Sequence, residues 1–143
     1  MMRKEITYDC KSWENIEACT AVLIKKILDK GLSFNNISTV SRGGLVPARL
    51  VADRLGIKQI LVDEETISVD SLFVDDIYDT GETFRRIIER ADDQDSLVYA
   101  TLFARRNEQY PRQLVYAELT KGDEYIVYPW DRFEHSVSIK SQT

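Results

Sequence analysis

Scarcity sets the first bounds on this 143-residue chain. It has two cysteines; Cys10 and Cys19 stand too far apart for a Cys-x-x-Cys motif and are too few for a disulfide framework, so both are expected as reduced thiols without a catalytic role. The single histidine, His135, falls in a polar stretch and is expected to face solvent. No apolar run approaches the ~20 residues of a membrane span, and Met1-Met2-Arg3-Lys4 leads into polar residues rather than a signal-peptide core. A soluble, cytoplasmic protein is therefore expected. Positive charge is in short supply: 19 Lys and Arg against 24 Asp and Glu leave a net charge of -5, which argues against general nucleic-acid binding. An anionic ligand would have to meet a local site. Pro/Ser-rich and low-complexity stretches are missing, as are internal repeats, and the 43% apolar content suits one folded domain over 1–143.

The apolar pattern supplies the elements. Trp13, Ile16, Cys19, Val22, Leu23 and Ile27 recur at helical spacing between Ser12 and Lys30, before a stop at Gly31. Ile37 to Val40 reads as a strand, Leu45 to Leu55 as a helix ended by Gly56, Gln59 to Val62 and Leu72 to Val74 as further strands. Gly81 to Ala91 reads as a helix with Phe84, Ile87 and Ile88 turned inward, followed by strands at Leu97 to Phe103 and Leu114 to Leu119. This alternation predicts an α/β fold, a mostly parallel sheet flanked by helices, with ligands at the carboxyl ends of the strands. Tyr125 to Phe133 is aromatic without a clear period and is expected to lie over the site as a small C-terminal hood. The core is expected over about 12–120, the hood over about 121–143 together with the N-terminal residues.

Two segments carry chemistry. In Phe73-Val74-Asp75-Asp76-Ile77-Tyr78-Asp79-Thr80-Gly81-Glu82-Thr83, an apolar strand runs through acidic residues into a turn and a helix. Amides and hydroxyls at Thr80, Gly81, Glu82 and Thr83 suit a phosphate, Gly81 permits the positive φ such a turn needs, and Asp75 and Asp76 can accept from vicinal ribose hydroxyls. The plainer alternative is that Asp79 or Thr80 only caps the helix. The second segment, Val40-Ser41-Arg42-Gly43-Gly44-Leu45, also joins a strand to a helix. Gly43 and Gly44 let backbone approach an anion, and Arg42 adds charge. Neither a Gly-x-x-x-x-Gly-Lys-Ser/Thr loop nor the Asp-x-Asp pair of aspartyl-phosphate phosphatases occurs at these positions.

The first segment resembles the signature of the type I phosphoribosyltransferases, and the second resembles their pyrophosphate loop. The chain looks closest to the xanthine-guanine and hypoxanthine-guanine enzymes. The resemblance implies that the phosphoribosyl group is held by Asp75, Asp76, Asp79, Thr80, Gly81, Glu82 and Thr83, and pyrophosphate by Ser41, Arg42, Gly43 and Gly44, with a cis peptide joining Ser41 to Arg42. It implies Asp79 as the catalytic base near the purine N7. Tyr125-Ile126-Val127-Tyr128-Pro129-Trp130-Asp131 resembles the segment covering the base, with Tyr125 as stacker and the Tyr125 and Ile126 carbonyls as acceptors; Trp130 is expected to be structural. The family's Lys opposite the purine 6-oxygen is replaced in Phe103-Ala104-Arg105, leaving Arg105, or its neighbour Arg106, as donor.

The implied partners are phosphoribosyl pyrophosphate and a 6-oxopurine, with Mg2+ carried mainly by the substrate and Asp75 and Asp76 as the available carboxylates. A homodimer or homotetramer is expected, with Tyr110, Tyr116 and Tyr128 as candidate exposed aromatics. Where the family has a long closing loop, only Asp63 to Ser71 is available, so the lid is short or absent. Two other functions stay open: a non-catalytic sensor that keeps the phosphoribosyl site, and a transferase for a non-purine acceptor.

Overall fold

A computed structural model describes residues 5–131. In chain order the elements are β1 (Tyr8–Cys10), α1 (Trp13–Asp29), β2 (Asn36–Thr39), α2 (Leu45–Leu55), β3 (Ile60–Val62), β4 (Ser71–Tyr78), α3 (Glu82–Ile88), β5 (Val98–Ala104), β6 (Leu114–Leu119) and β7 (Tyr125–Val127). Ser12 starts α1 through a reciprocal capping box with Asn15, which satisfies two amides the helix cannot satisfy itself.

Five strands form a sheet in the order β3-β2-β4-β5-β6, and every adjacent pair is parallel. All five therefore end at one edge, which gathers the loops after β2, β4 and β5. α1 packs against β5 and β6, and α2 against β2 and β4. Their shared core contains Ile16, Leu23, Ile37, Val51, Leu72 and Leu102. The opposite face carries α3 over Phe73 and Tyr99, whose rings stack at 4.9 Å while Phe84 meets Tyr99 edge-on. Each such side chain taken fully from water contributes roughly 1.5–3 kcal/mol. No helix among the described residues is long and apolar enough to cross a membrane.

Several elements depart from the expected ones. β4 continues past Val74 to Tyr78 because β5 pairs with it up to Tyr78↔Ala104, so the acidic pair sits within the strand rather than beyond it. α3 stops at Ile88 instead of Ala91, since Ala91 is bridged to Ile67. The hood contains a strand absent from the periodicity: β1 pairs in parallel with β7, Tyr8 beside Tyr125. Among the aromatics expected to be exposed, Tyr128 is buried, stacked on Trp130 at 4.7 Å, and Tyr116 is half-buried beside Tyr110. Among the described residues the exposed aromatics are instead Tyr8, Trp13 and Tyr125, with Tyr110 at the margin. Cys19 is buried with its thiol donating to the Leu102 carbonyl, and burial pushes it up to about 12, which keeps it protonated and inert. His135 lies outside the described residues.

Candidate active site

The loop after β2 is fixed from three sides. The Thr39 hydroxyl donates to the Val74 carbonyl at 2.6 Å, tying the end of β2 to β4. The Ser41–Arg42 peptide is cis. Asp63, just past β3, accepts from the Ser41 amide at 2.9 Å and from its hydroxyl at 2.5 Å. Those two bonds hold the Asp63 carboxyl below the ordinary range. Its folded pKa is thus lower than its unfolded one, so the anchor is complete above the ordinary value and is lost only as pH falls through the lowered one. Gly44 admits no side chain, because a Cβ there would lie 2.0 Å from the Thr39 hydroxyl and 3.0 Å from the Val40 and Val74 carbonyls.

The β4 loop meets it directly. A Cβ on Gly43 would come within 3.0 Å of an Asp76 carboxylate oxygen, so the two segments read separately in the sequence are in contact. Asp75 is buried and accepts from the Asp76 amide and the Tyr99 hydroxyl. Half-buried Asp76 accepts from the Ile77 amide. Burial raises both carboxyls, and for Asp76 the neighbouring Asp75 charge raises it further. The pair resists holding two negative charges until a cation or hydroxyl donors arrive.

Beyond them the chain turns at Gly81, φ 86°, where a Cβ would strike the Tyr78 hydroxyl. The first amides of α3 have no acceptor within the helix, and Thr80, Gly81, Glu82 and Thr83 line a pocket of ≈130 Å³ beside Tyr99. A second cavity, ≈390 Å³, lies between the loops and is lined by Ser41, Gly43, Asp76 and Thr83 together with Arg86 and Arg90. Arg42 is exposed and lines a separate cavity with Trp130 and Asp131.

Asp79, half-exposed, ends the strand side of the turn and pairs with Arg105, whose Nε lies 3.0 Å from its carboxylate. Arg105 also donates through one terminal nitrogen to the carbonyls of Gly122 and Glu124, at 3.1 and 2.7 Å. Its side chain is only 14% exposed. Most of its donors thus join β5, the β4 turn and the hood, and Arg106 is taken by the Thr120 carbonyl. Tyr125 is 58% exposed with its ring edge-on to Tyr8, whereas Ile126 is buried. Arg105→Lys is expected to lose at least two of these charge-assisted bonds and about 2–3 kcal/mol of stability, measurable by urea unfolding; unchanged stability would show the clamp to be dispensable.

Sequence reasoning missed Asp63, Arg86 and Arg90. Asp63 sits in the featureless run Asp63-Glu64-Glu65, and only the adjacency of β2 and β3 reveals it. The arginines fall in the stretch expected as a helix from Gly81 to Ala91, and no local pattern points them at the β2 loop.

A parallel sheet that sets a Gly-Gly loop with a cis peptide against an Asp-Asp-x-x-Asp-Thr-Gly-x-Thr turn has the form of the type I phosphoribosyltransferases. Comparison with known proteins narrows the likeness. The chain is similar to the xanthine-guanine phosphoribosyltransferases of Nitratidesulfovibrio vulgaris strain DP4, at 29% identity over 84% of this chain and 82% of that protein, and of Idiomarina loihiensis, at 28% over 88% of each. Its fold matches the xanthine-guanine-hypoxanthine phosphoribosyltransferase of Helicobacter pylori with a TM-score of 0.73 and 17% identity, over 92% of this chain and 98% of that one. No protein-family model matches. In sequence and in fold alike the chain resembles the type I phosphoribosyltransferases.

Proposed function

We propose that this protein transfers the 5-phosphoribosyl group from phosphoribosyl pyrophosphate to a 6-oxopurine (guanine, xanthine or hypoxanthine), giving a nucleoside monophosphate and pyrophosphate in purine salvage. Purine phosphoribosyl transfer is the common activity in the names of its relatives. The observation that carries the reading is the contact of Gly43 with Asp76, which puts a pyrophosphate-type loop and a ribose-phosphate turn on one cavity.

In this reading Thr80 to Thr83 anchor the 5-phosphate, Asp75 and Asp76 orient the ribose, and Ser41 to Gly44 receive the pyrophosphate. Bond breaking runs ahead of bond making at the ribose carbon, giving an oxocarbenium-like transition state, so the chain's work is to position and to stabilise charge. Asp79 takes the proton leaving the purine, Arg105 keeps its carboxylate aimed, and Tyr125 stacks on the base. Mg2+ fits the acidic pair, whose raised carboxyls a divalent cation would relieve. Among the described residues no three His, Cys, Asp or Glu converge on a metal, so substrate oxygens would complete its shell. When bound, the ion neutralises the departing pyrophosphate. The enzyme is expected to act in the cytoplasm as a homodimer or homotetramer.

The test is incubation with Mg2+, phosphoribosyl pyrophosphate and a panel of purines and pyrimidines, following nucleotide and pyrophosphate. Product with a 6-oxopurine is expected. Product only with a pyrimidine would overturn the acceptor assignment. One observation favours a second reading, that of a nucleotide sensor: the segment 63–71 is fastened down, with Ile67 buried and bonded to Arg90 and Asp92. Binding of the activated sugar without product from any base would support it.

A further inference from the structure

The purine transferase reading leaves one arrangement unused. Arg86 on α3 and Arg90 just past its end both line the ≈390 Å³ cavity with Ser41, Gly43, Asp76 and Thr83. Arg86 is exposed and, among the described residues, tied by no hydrogen bond or ion pair, although its charge reaches Asp75. Arg90 makes only a long bond, 3.4 Å, to the Glu64 carbonyl.

The carboxylates that could have paired with them are engaged elsewhere. Asp63 is bound to Ser41, and Asp75 to Tyr99 and to the Asp76 amide. Asp63, Asp75 and Asp76 line the same cavity, and the Arg90 and Arg86 charges reach Asp63 and Asp75, but neither guanidinium hydrogen-bonds a carboxylate, so both keep donors for a densely charged anion that arrives with a divalent cation. Their position is not left to chance. Ile67 donates to the Arg90 carbonyl at 2.9 Å and accepts from the Asp92 amide at 2.9 Å, so the segment between β3 and β4 holds the end of α3 in place.

We infer that Arg86 and Arg90 bind the leaving pyrophosphate of the substrate from the α3 side, opposite Ser41 to Gly44, and supply the positive charge that a closing loop would otherwise bring. The inference rests on the proposed function. It makes the pyrophosphate site of this chain preformed, with charge carried by a helix whose end is stitched to the segment next to β3.

Calorimetry in Mg2+ with three probes separates the possibilities: inorganic pyrophosphate, phosphoribosyl pyrophosphate, and GMP, which carries the ribose phosphate without pyrophosphate. In Arg86→Gln/Arg90→Gln, affinity for the two pyrophosphate probes should fall roughly 10- to 100-fold, as expected for the loss of one or two charge-assisted contacts, while GMP affinity holds. Arg86→Gln alone, at an exposed position that does not endanger folding, should show a several-fold loss with the same selectivity. If wild type binds phosphoribosyl pyrophosphate and both variants bind it equally well, or if GMP weakens as much as pyrophosphate, the inference is overturned and the transferase reading survives. If wild type binds no probe, both fall.

Discussion

Asp79→Asn is expected to lower kcat by about 10²- to 10⁴-fold, the usual contribution of a positioned proton acceptor, while leaving the affinity for phosphoribosyl pyrophosphate nearly unchanged. The amide has the shape of the carboxylate and can still accept from Arg105 Nε, which now lies 3.0 Å from Asp79, so the turn into Gly81 should keep its form. What disappears is the basic oxygen. Asp79 reaches its place because β4 runs on to Tyr78 and the Arg105 guanidinium holds the carboxylate against β5 and the hood. Steady-state kinetics with guanine, together with calorimetry of the activated sugar, separates this role from a capping one. A cap would move stability and substrate binding with little selective effect on turnover, and full activity in the variant would remove Asp79 from the chemistry.

The second large effect is structural. Gly44→Ala would place a methyl group 2.0 Å from the Thr39 hydroxyl and 3.0 Å from two backbone carbonyls. None of these can yield cheaply, since that hydroxyl ties β2 to β4 through the Val74 carbonyl. A loss of about 3 kcal/mol is expected, at the upper end of overpacking effects, read as a lower urea midpoint with little change in slope. Gly31→Ala is the internal control. Gly44 has an ordinary φ of -85°, so its loss comes from crowding alone; Gly31 has a positive φ, 70°, with nothing within 4 Å of an added Cβ, so only the conformational cost of about 1–2 kcal/mol applies there. A Gly44→Ala loss below about 0.5 kcal/mol, the range of unperturbing substitutions, would show that crowding at the loop does not matter.

How much of this was readable beforehand depends on the distance between the residues involved. Asp75 to Thr83 and Ser41 to Gly44 are local patterns whose backbone demands are written within a few positions, and the elements around them came out close to expectation. Contacts between separated segments were invisible. The Ile67↔Ala91 bridge that shortens α3, the bond from Ser41 to Asp63 and the β1/β7 pair each require knowing which strands are neighbours. Arg105 shows an intermediate case: its departure from the family's lysine was evident, but its engagement with Asp79, Gly122 and Glu124 needed the hood in place.

The pairing of Tyr8 with Tyr125 joins segments from opposite ends of the described chain. During synthesis β1 emerges before the five strands of the central sheet and its partner β7 after them, so that sheet can assemble while the β1–β7 lobe is still open. A fusion placed close ahead of Tyr8 would therefore disturb the β1–β7 lobe more than the loops after β2 and β4.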